Sequence, residues 1–140
     1  MVLSSRVVLD SNILISALIH PGMAREFIFK LLHQGVEIAI SDYIINEVEE
    51  VLRRNKFQNR EIFDRLWRLL KRDAIMIKVS FKPLKTYLRD PKDHPILKTG
   101  QKAKAQFIIT GDDDLLSLKS WQKIKIVNIY EFRKLLNNLP

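Results

Sequence analysis

The feature that most limits what this chain can fold into is the run Arg6-Val7-Val8-Leu9-Asp10, in which β-branched and apolar residues stop abruptly at an acid. Apolar residues that continue without alternation fit a strand covered on both faces, as in a parallel sheet, and not a strand with one wet face. Asp10 then sits at the carboxyl end of that strand. The pattern repeats: Phe107-Ile108-Ile109-Thr110 is a second short β-rich run, and it delivers Gly111-Asp112-Asp113-Asp114 into the start of a short helix with Leu115, Leu116 and Leu118.

The segments between these two runs alternate in the same sense. Ile13 to Ile19 reads as a short helix, and after Pro21-Gly22 the positions Phe27, Ile28, Leu31 and Leu32 follow helical spacing up to Gly35, a cap residue. Val36 to Ile40 is a strand. Ser41-Asp42 supplies N-cap chemistry for a helix carrying Ile44, Ile45, Val48, Val51 and Leu52. Asn59 to Arg72 makes a further helix with Ile62, Phe63, Leu66, Leu69 and Leu70 inward and the pairs Glu61/Arg65 and Asp64/Arg68 outward. Ile75 to Val79 is a third strand, Phe81 to Pro95 an irregular connection, and Lys125 to Val127 a last strand. Asn128 with Glu131 forms a capping box before a C-terminal helix through Phe132, Leu135 and Leu136. Strands alternating with helices predict one α/β domain over residues 1–140, with a mostly parallel central sheet and helices on both faces. Ligands of such sheets bind at the carboxyl ends of the strands, where Asp10 and Asp112 fall.

Composition decides which chemistry those acids can serve. With no Cys there are no disulfides, thiolate nucleophiles or cysteine-held metals, and three scattered His do not build a zinc site. Any metal must be held by oxygen. Lys and Arg exceed Asp and Glu by 24 to 16, a net charge of +8 that attracts polyanions, nucleic acid above all. The longest stretch without charge, Ser11 to Ala24, is broken by Pro21-Gly22 and falls short of a membrane span, and no signal-peptide pattern opens the chain, so a cytoplasmic protein is expected. Carboxylates gathered at strand ends repel one another unless a cation compensates. Mg²⁺ takes oxygen ligands and keeps several waters, which leaves room for a phosphate.

Four segments together carry a resemblance: Asp10-Ser11-Asn12, Glu47-Val48, Arg89-Asp90-Pro91-Lys92-Asp93 with Ile96-Leu97, and Thr110-Gly111-Asp112-Asp113-Asp114-Leu115-Leu116. In order and spacing they resemble the successive motifs of PIN domains over nearly the whole chain, closest to toxin components of toxin-antitoxin systems related to the VapC ribonucleases. The resemblance implies an RNA-cleaving enzyme dependent on Mg²⁺ or Mn²⁺, with Asp10, Glu47, Asp93 and Asp112 in the active site. Asp10, Asp93 and Asp112 are the expected metal ligands, and Glu47 is a further ligand, directly or through water. It also implies products with 5′-phosphate and 3′-hydroxyl ends, dimerisation, and inhibition by a small antitoxin that covers the acidic cleft.

The residues themselves leave alternatives beside these roles. Asp10 fits an N-cap as well as a ligand. Asn12 fits a turn or a hydrogen bond that orients Asp10, and Thr110 fits a strand end or a hydrogen bond to a carboxylate. Glu47 and Glu49 lie on opposite rims of one apolar stripe, so periodicity does not choose between them; the resemblance favours Glu47 and leaves Glu49 and Glu50 to solvent. Asp93 is favoured over Asp90, and Asp112 over Asp114, while some of the three adjacent acids must be solvated or capping. The chain departs from the family it resembles at Gly100, where that family usually carries Ala, and at Gln106, which replaces a common Asp; Gly100 weakens the helix expected from Ile96-Leu97 by about 1 kcal/mol. Lys82, Lys85, Arg89, Lys92, Lys98, Lys102 and Lys104 surround the Asp93 segment and suit RNA phosphates. Trp67 and Trp121 read as packing residues. The competing functions are a PIN-like module that binds RNA or a partner without cutting, and a phosphoacceptor domain. The latter is disfavoured by Asn12, where such phosphatases carry a second acid, and by the absence of a receiver's late Lys-Pro pair.

Overall fold

A computed structural model describes residues 5–54, 60–79 and 94–137. Among them the chain runs β1 (Arg6–Leu9), α1 (Ser11–Ile19), α2 (Met23–His33), β2 (Glu37–Ser41), α3 (Asp42–Arg54), α4 (Arg60–Asp73), β3 (Ile75–Ile77), α5 (His94–Ala103), β4 (Phe107–Ile109), α6 (Asp113–Leu118), β5 (Ser120–Trp121), β6 (Ile124–Val127) and α7 (Ile129–Asn137). The sheet order is β3-β2-β1-β4-β6-β5, parallel throughout except for β5, which pairs antiparallel with β6 at the edge.

The α/β fold with a mostly parallel sheet is as expected, and β1 shows why it could be foreseen. Val7, Val8 and Leu9 are fully buried, because a central parallel strand is covered on both faces. On one side α5 packs across β1, β2, β3 and β4; on the other, α1 packs against α2, α3 and α4, and α2 meets α7. Phe132 of α7 closes the core there, edge-on to Phe27 and Phe107 with ring centroids 6.0 and 5.0 Å away.

Several local signals act as their chemistry predicts. Gly35 (φ 76°) ends α2: its amide bonds the Leu32 carbonyl and the Val36 amide that of Leu31, so the orphan carbonyls of the last turn are used. The Ser41 hydroxyl accepts the Ile44 amide at 3.3 Å, and Asn128 and Glu131 cap α7 reciprocally at 3.2 and 2.8 Å.

Several expectations change. On α4, Ile62, expected inward, is half exposed, while Trp67, read as a packing residue, is buried with Phe63 and Leu70; its indole N–H reaches Glu49 Oε1 at 3.1 Å, so the amphipathic ring keeps a polar partner. The ion pairs within this helix are Arg60 with Asp64 and Arg72 with Asp73, not Glu61 with Arg65 or Asp64 with Arg68, whose guanidinium donates to the Asp64 carbonyl instead. Glu49, expected in solvent, accepts that indole and pairs with Lys71 at 3.3 Å. Leu135 is exposed on α7, and the two-residue strand β5 was not foreseen.

Candidate active site

The chain leaves β1 toward β2 and β3 on one side, and returns to β4 and β6 on the other. The junction between β1 and β4 is therefore the topological switch point, where adjacent connections leave in opposite directions and open a crevice. Register places Leu9 beside Ile109, and the Asp10 amide donates to the Ile109 carbonyl at 3.0 Å. Asp10 and Thr110, far apart in sequence, are thereby neighbours at the carboxyl ends of the two strands.

Asp10 stands at the N-cap position of α1, yet its side chain makes no cap hydrogen bond. Only its carbonyl serves the helix, accepting from the Ile13 and Leu14 amides. The carboxylate is instead 8% exposed and aimed at other side chains. Thr110 Oγ1, fully buried, donates to Asp10 Oδ2 at 2.7 Å and accepts from the Asp112 amide at 3.0 Å. Burial pushes the Asp10 carboxyl above its usual range, and the nearby charge of Asp112 adds to this. Hydrogen bonds from Thr110 and Ser11 pull the other way.

Asp112 does act as a cap: its Oδ1 accepts from the amides of Asp114 and Leu115 at 2.8 and 3.2 Å. Those bonds fix the side chain through one oxygen and leave the second for another ligand. Of the adjacent acids, Asp113 is exposed and Asp114 half-buried.

Glu47 comes from α3, which packs on α1. The Ser11 hydroxyl, itself buried, lies 3.0 Å from Glu47 Oε1 and 3.4 Å from Asp10 Oδ1, so it bridges the two acids. Glu49, on the other rim of the same helix, is turned to Trp67 and Lys71 on α4. Packing thus separates two positions that periodicity leaves equivalent. Asn12 is exposed, and the hydrogen bonds to the Asp10 carboxylate come from Ser11 and Thr110 instead: the first turn of α1 points position 11 inward and position 12 out. Ser11 is the residue that the sequence reading missed. Its one signal is its place directly after the strand-end acid.

Asp93 and Asp90, with Lys82, Lys85, Arg89 and Lys92, lie outside the described residues. Among the described residues, no three His, Asp or Glu are grouped as a metal ion would require. What the structure brings together is a desolvated carboxylate, a capped one beside it and a third bridged by a hydroxyl, all hard oxygen donors. Mg²⁺ is commonly held by one or two carboxylates and its own waters, so the chemistry of Asp10 and Asp112 fits such an ion. The apolar recess between α1, α2 and α4, lined by Ala17, Leu18, Ile28, Phe29, Leu66 and Leu69 among others, holds none of these acids.

The fold is similar to that of a chain in the crystal structure of VapBC2 from Rickettsia felis bound to a DNA fragment from their promoter, with a TM-score of 0.63 and 19% identity, covering 88% of this chain and 98% of that one. At that identity the likeness speaks to fold. No curated protein matches the sequence. The PIN domain family model matches residues 6–114, a span that opens with β1 and closes on Asp114, and so takes in the strand-end acids that meet at the switch point; the chain belongs to the PIN domain family.

Proposed function

We propose that this protein is a metal-dependent endoribonuclease and the toxin of a toxin-antitoxin pair. The observation that carries the reading is the buried Asp10 carboxylate at the β1/β4 switch point, hydrogen-bonded by Thr110, beside Asp112 and bridged through Ser11 to Glu47. A desolvated acid next to like charge is unfavourable in isolation, and it persists in folds where a cation or substrate makes use of it.

Asp10 and Asp112, with Asp93, are the ligands for Mg²⁺ or Mn²⁺, and Glu47 adds a further oxygen. When bound, such an ion offsets charge developing on the scissile phosphate and acidifies water at the site. Thr110 keeps Asp10 oriented by donating to Oδ2, and the same hydroxyl holds the backbone that presents Asp112. Ser11 fixes Glu47 relative to Asp10. The net charge of +8 draws the RNA strand to the protein. The products carry 5′-phosphate and 3′-hydroxyl ends. The partner is a small antitoxin covering the acidic cleft, in line with a fold neighbour that is a VapBC2 complex, and the active form is a homodimer. No helix among the described residues is long and apolar enough to cross a membrane, and a cytoplasmic location is part of the proposal.

The test is cleavage of single-stranded RNA by purified protein in Mg²⁺ or Mn²⁺, with contaminating nuclease excluded. Asp10→Asn, Asp93→Asn and Asp112→Asn should each lose activity by orders of magnitude, because a hard cation needs the charge that Asn lacks. The exposed neighbour variant Asp113→Asn should keep most of it. RNA binding without metal-dependent turnover would favour the module that binds without cutting.

A further inference from the structure

Residues 94–130 carry acids only at Asp112, Asp113 and Asp114, and six lysines: Lys98, Lys102, Lys104, Lys119, Lys123 and Lys125. The fold gathers five of them, Lys102, Lys104, Lys119, Lys123 and Lys125, into one exposed corner. Gln101 of α5 donates to the Gln122 side chain at 3.0 Å across the β5–β6 turn. The Lys125 amide bonds the Gln106 carbonyl, and the Ile126 amide bonds the Lys119 carbonyl, both at 2.9 Å. Lys123 and Lys125 lie at the amino end of β6, and Lys119 stands further along the same strand opposite Ile126, whereas the strand-end acids Asp10 and Asp112 follow the carboxyl ends of β1 and β4.

Backbone conformation marks the same corner independently. Among the described residues, four that are not glycine have positive φ: Lys104 (54°), Lys119 (60°), Gln122 (50°) and Lys123 (68°). All four are here, and three are lysines. Side chains with a Cβ adopt this region at a cost, and Gly or Asn is the usual solution. The chain uses that solution elsewhere. At the end of α2, Gly35 bonds three residues back while Val36 bonds five back; at the end of α5, Lys104 bonds Gln101 and Ala105 bonds Gly100 in the same pattern. One motif thus carries Gly where nothing else is asked of it and Lys in the basic corner. Lys119, with ψ −42°, lies outside even the left-handed helical basin. Gln122-Lys123 fills a two-residue hairpin turn in which both central residues are left-handed, a position for Asn-Gly. Strain retained at several neighbouring positions, each at the expense of a better-suited residue, points to function.

We propose that Lys104, Lys119 and Lys123, flanked by Lys102 and Lys125, form a phosphate-binding surface that grips the backbone of the RNA substrate away from the scissile bond. That the bound polyanion is RNA rests on the ribonuclease reading above. No RNA-reading aromatic motif accompanies these lysines, so the grip is on phosphates and not on bases.

The experiment is binding of a labelled single-stranded RNA to the full chain in EDTA, where cleavage plays no part, across a salt series. In Lys104→Gly/Lys119→Gly/Lys123→Gly, affinity at low salt should fall about tenfold or more. The slope of log affinity against log salt should fall by about 2, at about 0.7 per phosphate contact on a single strand. The same variant should melt at or above the wild-type temperature, because glycine relieves the backbone, a combination that a merely structural role would not produce. If the glycine triple melts lower, Lys104→Asn/Lys119→Asn/Lys123→Asn removes the same charge with a side chain that tolerates positive φ, and is read by the same criteria. An unchanged affinity and slope overturn the proposal. So does an equal loss in the charge-matched control Arg65→Ala/Arg133→Ala/Lys134→Ala, or a triple variant that loses duplex DNA while keeping RNA. A protein that binds RNA through this corner but never cuts it overturns the ribonuclease reading and leaves the surface standing.

Discussion

Thr110 Oγ1 lies 2.7 Å from Asp10 Oδ2 while accepting the Asp112 amide at 3.0 Å, so one buried hydroxyl sets the first and last acids of the site against each other. Thr110→Val keeps the shape and removes the donor, leaving a buried carboxylate short of a hydrogen bond. Partners one step behind a metal ligand typically account for about 10- to 100-fold in metal affinity or activity. Thr110→Val should lose that much in RNA cleavage and in Mn²⁺ affinity by calorimetry, and Thr110→Ser should recover most of it. Wild-type values in the valine variant would remove Thr110 from the mechanism.

Ser11 touches two acids with a single proton to give, and the contact with Glu47 is the shorter. Ser11→Ala should therefore loosen Glu47 more than Asp10 and reduce cleavage by about tenfold, toward the low end of the range for such partners. Coupling decides the matter: Ser11→Ala in a Glu47→Gln background should have little further effect. Fully additive losses in the double-mutant cycle would show that Ser11 acts elsewhere.

The acid environment has a signature in stability. Burial raises the Asp10 carboxyl above its unfolded value, so between those two values the folded chain holds more protons than the unfolded one. Stability of the metal-free protein from this group is therefore greatest below the unfolded value, near 3.8, declines as pH rises through the folded value, and stays reduced above it. Asp10→Asn should remove this component and melt higher than wild type in EDTA at pH 7. Added Mn²⁺ should stabilise wild type and not the variant. Thermal melting across pH checks both, and an Asn variant that melts lower in EDTA would contradict the electrostatic account.

Gly100 packs α5 directly on the sheet: a Cβ there would meet Ile108 Cδ1 at 3.0 Å and Ile124 Cδ1 at 3.2 Å. The sequence suggests only a weakened helix, but the residue is a close approach in which smallness offsets the helical cost. Alanine would gain about 1 kcal/mol in helix propensity and lose a similar amount or more in crowding. Gly100→Ala should therefore be no more stable than wild type, and Gly100→Val less stable by about 1–3 kcal/mol, by chemical denaturation. A gain of the full propensity difference in Gly100→Ala would show that the isoleucines have room.

What could be read from sequence was whatever a single element encodes. β1 announces itself because a doubly covered strand has no polar alternation, and Gly35 and the Asn128/Glu131 box mark helix ends through backbone chemistry that needs no tertiary partner. What depended on two elements stayed hidden. Glu47 and Glu49 are equivalent on an isolated helix, and only the packing of α3 on α1, with Trp67 of α4 reaching its other rim, brings one to Ser11 beside Asp10 and the other to Trp67. Ser11 carried no reading of its own because its partner is 36 residues away. The β5–β6 hairpin was missed because Gln-Lys occupies a turn whose usual signal is Asn-Gly.

The hydrogen bond that joins Thr110 to Asp10 spans 100 residues of chain. While the protein is being synthesised, the first acid is therefore present long before the strand that completes its surroundings. At about 5–20 residues per second, several seconds separate the two. A partial chain ending before β4 has Asp10 and Glu47 but neither Thr110 nor Asp112, so the crevice does not exist in it. Asp10 therefore gains its buried hydroxyl partner and its neighbouring acid only once β4 has been made and paired beside β1, after most of the chain has been translated.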